Sequence, residues 1–486
     1  MQFYSYIFIL LFLPVCISGY FVLGKAEKYE ASKMWLIAMS LWFYAYLHLT
    51  YLILLGGSIL VNYGIIDWMR KQKKNVYKKL LLVSSLTVNL GVLFFFKYYN
   101  FFVDNLNFLL KSRIAPLTLL LPLGLSFIVF QQISFAVDCY RNTALQYSFT
   151  DYALYITFFP KILSGPIIAF EELLVQLQET ERKRINFENM SKGFYQAAMG
   201  LAKKVLIADT LAQLVTVGVF DVRKLHTFSA LLVMLFYSLQ LYYDFSGYSD
   251  MAIGVARMLN IELPVNFNSP YKARSVTAFW KRWHITLSQF FTKYVYIPLG
   301  GNRKGIKRTC IHIMIVFFLS GLWHGANWTF IVWGCLHGMF MVLERLMGRK
   351  LEKIPVVGWL FTFLFANVAW VIFRSGSLSE AFLFLSRIFH MGNGMVETGL
   401  VQVMNEMIEI RLLCRLGLQG IVDRIPCLPL VLFAALLLVF TLTEKNTQER
   451  VKKFGFSRKQ MAVTVLLLFW SIISFSGVSV FLYSNF

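Results

Sequence analysis

The segment FLSGLWHGANW, residues 318–328, places the imidazole of His324 within an otherwise apolar run. A neutral imidazole accepts a proton from a hydroxyl group near neutral pH, so this histidine could act as a general base. Ionisable side chains inside apolar membrane segments are costly and usually face a cavity or partner where function uses them. The alternative is a structural histidine bonded to a carbonyl, with Gly321 and Gly325 easing helix contact. The residue types alone leave both interpretations open.

A second histidine, His284, lies in the segment FWKRWHITLSQF, and on a helix Ser288 would lie one turn further on the same face. Trp280, Arg282 and Trp283 precede it, and such residues also anchor proteins at a membrane–water boundary without any chemistry. The zinc motif H-E-x-x-H is absent, and no Asp or Glu adjoins either histidine. We therefore predict no metal site.

Polar residues also gather between positions 241 and 271. Asp244, Ser246 and Asp250 are followed by Asn266, Asn268 and Tyr271 in a turn marked by proline. Such carboxylates could orient an imidazole or bind an acceptor hydroxyl group. They could equally cap a helix and pair with Arg257 or Arg274. Both alternatives remain open at this stage.

The elements that must position these residues are membrane helices, because 58% of the 486 residues are hydrophobic and only 15% are charged. Lys and Arg number 47 against 25 Asp and Glu, a net charge of +22 that labels cytoplasmic loops more naturally than a nucleic-acid surface. We therefore expect a lipid bilayer as partner and no nucleic acid. Basic clusters occur at 70–79, 182–184, 303–308 and 445–459. If the last faces the cytoplasm, the C-terminal tail lies on the outer face.

The apolar stretches predict an all-α polytopic membrane protein with about 10 to 12 spans, at about 20 residues for each crossing. The first, 2–24, is expected to be a retained span, 34–68 to hold two helices, and 309–343 to break at its glycines. The segments 186–215 and 378–390 mix charge with an apolar helical face and predict interfacial helices. The S-G-P step within 161–170 predicts a helix break or re-entrant turn. No internal repeat is visible, so we treat residues 1–486 as one integral membrane domain.

Several motifs closely resemble the membrane-bound O-acyltransferase family, in its alginate O-acetyltransferase branch. They are LPLGLSFIVFQQISFAVDCYR (121–141), FPKILSGPI (159–167), DFSGYSDMAIG (244–254), NFNSPYKARSVTAFWKRWHITLSQF (266–290), YIPLGGNRKG (296–305) and LSGLWHGANWTFIVWGCLHG (319–338). The resemblance covers most of the chain from about 90 to 375, with further spans and an aromatic tail in 428–486.

This resemblance implies a helix bundle crossed by a tunnel, with His324 as catalytic base and His284 orienting the acceptor or lining the donor entrance. Supporting tunnel residues would be Asp244, Ser246, Asp250, Asn268, Tyr271, Trp280, Arg282, Trp283, Ser288, Trp323 and Asn327. An oxyanion stabiliser is also required, from Asn327, Trp328 or a main-chain amide at the glycine break.

The terminal FLYSNF resembles the aromatic tail of this branch, which makes Tyr483 a candidate acyl relay, although Leu482, Ser484 and Asn485 depart from the pattern. Simple interfacial anchoring by these aromatic residues is the alternative.

The expected reaction passes an acetyl group from a cytoplasmic thioester, acetyl-CoA or another acyl thioester, to a hydroxyl group of an exported or cell-wall polysaccharide. No permanently bound cofactor is expected. An extracytoplasmic esterase-like acetyltransferase is the expected partner. The alternatives are D-alanyl transfer to teichoic acid, a transporter without covalent chemistry and a structural scaffold for a complex.

Overall fold

The structure, a computed structural model, describes residues 1–46, 48–141, 146–348, 350–390, 396–455, 457–475 and 482, and these residues form helices and loops with no strand. Seven helices are long and apolar enough to cross a membrane: Phe8–Lys25, Thr50–Lys71, Asn75–Leu110, Thr227–Met258, Gly305–His324, Trp328–Leu346 and Pro355–Arg374. The segments Ile408–Arg424 and Leu428–Thr443, bent by 104° at their junction, raise the number to eight if they form one broken span. The all-α polytopic prediction is confirmed.

Among the described residues, these seven or eight candidate spans are fewer than the 10 to 12 spans expected from the apolar stretches. Three of those stretches form helices of 16 or 17 residues, below the roughly 20 needed for a crossing: Tyr29–Ala45, Leu125–Tyr140 and Arg458–Ile473. The expected span at 116–137 is shorter because its first part, before Leu125, is not helical. Apolar length in sequence therefore overestimated the helical length.

The remaining α-helices are shorter than these spans. They are Phe149–Thr157, Phe159–Ile162, Phe170–Gln178, Phe187–Ala202, Asp209–Phe220, Val276–Trp280, Ile285–Phe291, Leu378–Arg387, Thr398–Asn405 and Thr447–Lys452. The expected helices within 186–215 and 378–390 are present. The expected break at S-G-P is also present, because the helix that begins at Phe159 ends at Ile162.

Glycine pairs pack the helix Phe187–Ala202 closely against the helix Thr227–Met258, hereafter the Asp244 helix. A Cβ atom at Gly200 would lie 2.6 Å from the main-chain oxygen of Gly247, and one at Gly193 would lie 2.6 Å from that of Gly254. Small residues at such positions let two backbones approach. The close approach brings the lysines that follow Ala202 to the polar part of the Asp244 helix.

The helices Gly305–His324, hereafter the His324 helix, and Trp328–Leu346 form an antiparallel hairpin. A Cβ atom at Gly321 would lie 2.4 Å from the oxygen of Phe330, and one at Gly334 would lie 2.3 Å from that of Phe317. The predicted break within 309–343 therefore lies at residues 325–327, immediately after His324.

Contacts between distant segments gather the basic clusters at one end of the bundle. The Arg70 guanidinium lies 4.4 Å from the ring centroid of Tyr147. The helix that begins soon after Tyr147 binds Lys33 through Asp151 at 2.7 Å. Lys183 extends over the tyrosine that begins the same helix as Lys33, 4.9 Å from its ring centroid. These contacts connect cluster 70–79 with cluster 182–184 through the starts of two helices, Phe149–Thr157 and Tyr29–Ala45.

The other two clusters lie at the same end. Arg182 donates a 2.9 Å hydrogen bond to the main chain just beyond the end of the Asp244 helix. Asn189, in the helix Phe187–Ala202, donates to the side chain of Asn260 at 3.0 Å, and Tyr195 of the same helix packs against Phe454 of the fourth cluster with ring centroids 4.9 Å apart. Glu344, in the last turn of the hairpin, accepts bonds from the amides of Val276 and Thr277 at 2.6 and 2.9 Å. This brings the start of the hairpin, with cluster 303–308, to the segment that follows the Asp244 helix.

Candidate active site

His324 is the last residue of its helix, and aromatic rings surround it. Its ring centroid lies 4.8 Å from that of Trp323, 5.0 Å from Trp333 and 5.2 Å from Phe373. The side chain is only 3% exposed. The helix ends there because Gly325 is extended and its missing Cβ leaves room for the Phe330 ring, 2.1 Å from where that atom would lie.

Two side chains of the long helix Asn75–Leu110, hereafter the Lys97 helix, bind the carbonyl groups that this helix end leaves unsatisfied. The Tyr98 hydroxyl donates to the oxygen of Leu322 at 2.8 Å. The Lys97 ammonium donates to the oxygens of Trp323 at 2.7 Å and His324 at 3.2 Å. Both residues lie in a π-helical turn, a distortion that is frequent at functional sites. The end of the His324 helix is thereby fixed, and a cation balances its dipole.

Lys97 and His324 line the same cavity, of about 170 Å³, hereafter the central cavity. Ser126, Phe127, Tyr248 and Trp323 also contribute to its wall. The Ser126 hydroxyl accepts a third bond from Lys97 at 3.3 Å. The imidazole therefore borders space inside the bundle rather than closed apolar packing, as a general base requires.

His284 lies behind the wall of this cavity. Its ring centroid is 6.1 Å from that of Trp323 and 6.5 Å from that of Phe127, and both of those residues line the cavity. It is fully buried and precedes the helix Ile285–Phe291 with a left-handed backbone, φ 43°. His284 and His324, the two histidines predicted to carry the chemistry, therefore both lie next to the indole ring of Trp323.

Asn266 orients the His284 ring. Its Oδ1 lies 3.0 Å from His284 Nδ1 and accepts bonds from the Thr286 hydroxyl at 3.0 Å and the Thr286 amide at 3.3 Å. Because this oxygen only accepts, Nδ1 carries the proton and Nε2 is the acceptor in the neutral ring. Burial lowers the pKa of His284 to about 3, which keeps the ring neutral at physiological pH.

The asparagine at the imidazole is therefore Asn266 and not Asn268, the residue selected from the sequence. Asn268 is exposed, and the bonds found for it are main-chain contacts with Arg282 at 2.9 and 3.2 Å. The two asparagines are two positions apart in an irregular loop, and Asn266 is buried whereas Asn268 is exposed. An irregular loop has no periodicity from which the buried residue could be predicted.

Asp244 and Asp250 lie within the Asp244 helix, which continues without a break through Ser246. Lys204 binds Asp244 at 2.8 Å with both side chains buried, and Lys203 binds Asp250 at 2.6 Å. Pairing was one of the expected alternatives, but the predicted partners Arg257 and Arg274 were wrong. The glycine contacts described above explain the actual partners.

Lys204 also binds Asp209 at 2.8 Å. Burial alone would lower the pKa of Lys204, but the two carboxylates outweigh it and hold that pKa above its ordinary value. The cluster is thus a buried, charged unit that ties the stretch 204–209 to the Asp244 helix.

The other predicted residues of this region support the packing around the histidines. Tyr271 donates to the oxygen of Ser238 at 2.6 Å, and Trp280 donates to His337 Nδ1 at 3.1 Å. Trp283 packs against Trp370 with ring centroids 4.8 Å apart. Ser288 is one turn beyond His284 as predicted, but its hydroxyl binds the oxygen of Trp280 at 3.3 Å.

The two side chains considered as oxyanion stabilisers are engaged elsewhere. Asn327 caps the second hairpin helix by accepting from Thr329 N at 3.1 Å, and its amide donates to the oxygen of Gly376 at 2.8 Å. The Trp328 indole is half exposed and donates to Asn105 at 3.0 Å. Both therefore have structural roles.

The candidate acyl relay Tyr483 lies outside the described residues. Its neighbour Leu482 donates its main-chain N–H to Asp244 at 2.9 Å.

Sequence reasoning missed Lys97, and of the two asparagines in the polar loop it chose Asn268 rather than Asn266. Lys97 had a signal, since it is a single charge within the apolar run GVLFFFKYYNFF, and such charges are usually functional. Asn266 had none beyond its position in a polar loop. Among the described residues, no three His, Cys, Asp or Glu side chains come together as metal ligands.

Comparison with known proteins identifies the family of the chain. A model of the membrane-bound O-acyltransferase family matches residues 41–376. The chain is 37% identical to a peptidoglycan O-acetyltransferase of Helicobacter pylori, over 99% of this chain and 96% of the relative. It is 39% identical to a probable alginate O-acetylase of Pseudomonas putida, over 81% of each. A teichoic acid D-alanyltransferase of Bacillus subtilis is 27% identical over 53% of this chain and 70% of its own length.

Proposed function

Because this chain belongs to the membrane-bound O-acyltransferase family, we propose that it transfers an acetyl group from a thioester to a hydroxyl group of a cell-wall polysaccharide, with His324 as general base. The observation that carries the proposal is the position of His324, a buried imidazole at a helix break that borders the central cavity. The base is within reach of a reacting group in that cavity.

Peptidoglycan is the acceptor that the comparisons favour. The peptidoglycan O-acetyltransferase aligns with this chain almost from end to end, whereas the alginate relatives align with 81% of it. An alginate-like exopolysaccharide is the second candidate, since the identity over the aligned part is slightly higher. D-alanyl transfer is less favoured because its relatives align with about half of the chain.

The donor is proposed to approach from the end of the bundle that carries the basic clusters. By the positive-inside rule this end faces the cytoplasm, where acetyl-CoA is available and its phosphates would be attracted. The acceptor would then approach from the opposite end. If cluster 445–459 faces the cytoplasm, the C-terminal tail that follows the next helix lies on the acceptor's side. An esterase-like partner on that side would pass the acetyl group to the polymer.

The chemistry requires one proton transfer and one bond exchange. The acceptor oxygen attacks the thioester carbon while His324 takes the hydroxyl proton, and the carbonyl electron pair moves onto its oxygen. Collapse of this intermediate breaks the carbon–sulfur bond, and the thiolate leaves with the proton returned by the imidazolium. Asn266 keeps His284 in one tautomer beside the shared indole, so we assign His284 to positioning the acceptor or the donor entrance.

Tyr483 is proposed as the first acceptor, which would hold the acetyl group before it reaches the polymer or the partner. The support is the hydrogen bond of its neighbour Leu482 to Asp244. If this is correct, radioactive acetyl label on the purified protein is lost in Tyr483→Phe. Label that persists in this variant would refute the relay and leave the role of His324 intact.

The central test is O-acetyl transfer by His324→Gln. In proteoliposomes supplied with labelled acetyl-CoA, or in a host lacking its own enzyme, base-labile acetyl ester on purified peptidoglycan should fall about 10²- to 10⁴-fold, the usual contribution of a general base. The matched control is His312→Gln, a buried histidine of the same helix that binds the oxygen of Gly301 at 3.1 Å. It lies about 18 Å from His324 along the helix, so transfer should be retained.

Equal transfer by His324→Gln and wild type at equal protein amounts would refute the proposal. Two further outcomes distinguish the alternatives. Label that crosses the membrane unreacted would indicate a transporter. Ester formed only with a D-alanyl donor would indicate the teichoic-acid reaction.

A further inference from the structure

The reaction develops a negative charge on the thioester oxygen, and a stabilising group must lie within the cavity where the base acts. Asn327 and Trp328 are engaged in structural hydrogen bonds, as described above. Lys97, by contrast, borders the central cavity together with His324. We propose that the Lys97 ammonium is the oxyanion stabiliser of the acyl transfer, a role that rests on the proposed function.

The geometry of Lys97 fits this role. An ammonium group has three donors. Two of them are held by the oxygens of Trp323 and His324 at 2.7 and 3.2 Å, which fix the cation beside the base. The third points to the Ser126 hydroxyl at 3.3 Å, the longest of the three contacts, and Ser126 is also part of the cavity wall. A substrate oxygen in the cavity would replace Ser126 as the acceptor of this donor.

The surroundings make the charge effective. Among the salt bridges of the described residues, Lys97 has no Asp or Glu partner within 4.0 Å, so no carboxylate neutralises it at close range. Its Nζ lies 5.9 Å from the Trp323 ring centroid, and its neighbours in the helix are the aromatic residues of the turn Phe94–Tyr98. A fixed charge in such low-dielectric surroundings stabilises a developing anion far more than in water.

The ammonium also satisfies the charge balance of the step. Proton transfer to His324 would create a second cation beside Lys97, which alone would be unfavourable. The oxyanion forms in the same step, from the electron pair of the carbonyl group, and its single negative charge compensates the new positive charge, so the net charge of the site stays at the +1 of Lys97. The ammonium of Lys97 therefore disfavours protonation of His324 alone. It favours proton transfer to His324 when that transfer is coupled to attack on the thioester.

The test compares Lys97→Met, which removes the charge at similar length, with Tyr98→Phe. Tyr98→Phe removes the neighbouring hydrogen bond to the same helix end, at Leu322, without changing charge. We expect kcat of Lys97→Met to fall about 10²- to 10³-fold with KM for acetyl-CoA changed less than about threefold. Tyr98→Phe measures the effect of loosening this helix end alone, so its fall in kcat should be at least about tenfold smaller than that of Lys97→Met. Lys97→Arg keeps the charge with altered geometry and should retain at least about tenfold more activity than Lys97→Met.

A purely structural role for Lys97 predicts a different result. In that case Lys97→Met and Tyr98→Phe would lower thermal stability alike, and kcat for the folded fraction would stay close to wild type. This outcome would overturn the proposal. If Lys97→Met does not fold, the comparison of Lys97→Arg with Lys97→Gln tests the proposal instead, because both side chains can still donate to the helix end and only Arg carries a charge. Equal kcat values for these two variants would also overturn the proposal. Loss of activity in His324→Gln with normal kcat in Lys97→Met would refute this inference alone.

Discussion

The orientation of His284 by Asn266 leads to a prediction that also tests the correction made by the structure. Asn266→Ala removes an oxygen that accepts three hydrogen bonds, from the His284 ring and from the hydroxyl and amide of Thr286. Asn268→Ala is the matched control, because Asn268 is exposed and the bonds found for it involve main-chain atoms that the substitution leaves in place.

The expected magnitude follows from those contacts. Three hydrogen bonds at about 0.5–1.5 kcal/mol each give a loss in the free energy of unfolding of about 2–4 kcal/mol for Asn266→Ala. His284 has a left-handed backbone, which costs a non-glycine residue about 1–2 kcal/mol and persists only while its neighbours hold it. The ring should therefore move when Asn266 is lost. Asn268→Ala should change stability by no more than about 0.5 kcal/mol.

Two assays on protein purified in detergent check this prediction. Thermal unfolding should show a clearly lower transition temperature for Asn266→Ala, and acetyl transfer at low temperature, where the variant is folded, should show kcat/KM reduced about 10- to 100-fold by the misplaced ring. Normal stability and transfer in Asn266→Ala, combined with impaired Asn268→Ala, would refute the assignment of Asn266 to His284.

Three further predictions concern packing and charge. Gly321→Ala should lower the free energy of unfolding by about 1–3 kcal/mol, because its Cβ would lie 2.4 Å from a main-chain oxygen of the partner helix. The control is Gly64→Ala, whose Cβ would have no atom within 4 Å, and it should not lower the free energy of unfolding in the same denaturation assay. Lys204→Met should cost about 3–5 kcal/mol by leaving Asp244 buried without its cation, and Lys204→Met with Asp244→Asn should recover part of the loss. Finally, the pKa of His284 is about 6.5 in the unfolded chain but about 3 in the folded protein, so the unfolded chain binds the proton first as the pH falls. The free energy of unfolding should therefore decrease as the pH falls through this window, by about 2 kcal/mol from pH 6.5 to 5. His284→Asn, which tolerates the left-handed backbone, should lack this component of the pH dependence.

The sequence predicted the hairpin and its break well because the signal is local. Gly321 and Gly325 permit close contacts at the turn, and His324 falls at the helix end as a direct consequence. The two histidines were also found from the sequence, since an ionisable ring in an apolar run is conspicuous by itself.

The partners of these residues could not be predicted, because tertiary packing determines them. Asp244 meets Lys204 only because glycines on two helices interlock, and a search among nearby arginines necessarily failed. Lys97 meets the carbonyl of His324 from more than two hundred positions earlier in the chain. Its charge was visible in the sequence, but the helix end that it binds was not.

The burial of the site explains why the reaction needs a cation as well as a base. His324 is only 3% exposed, and the rings of Trp323, Trp333 and Phe373 surround it. Reacting atoms beside this imidazole therefore have little contact with water, which cannot readily stabilise a developing oxyanion there. A fixed ammonium beside the imidazole supplies what solvent supplies in an open active site, so a neutral replacement of Lys97 should impair the chemical step more than it impairs binding of the donor.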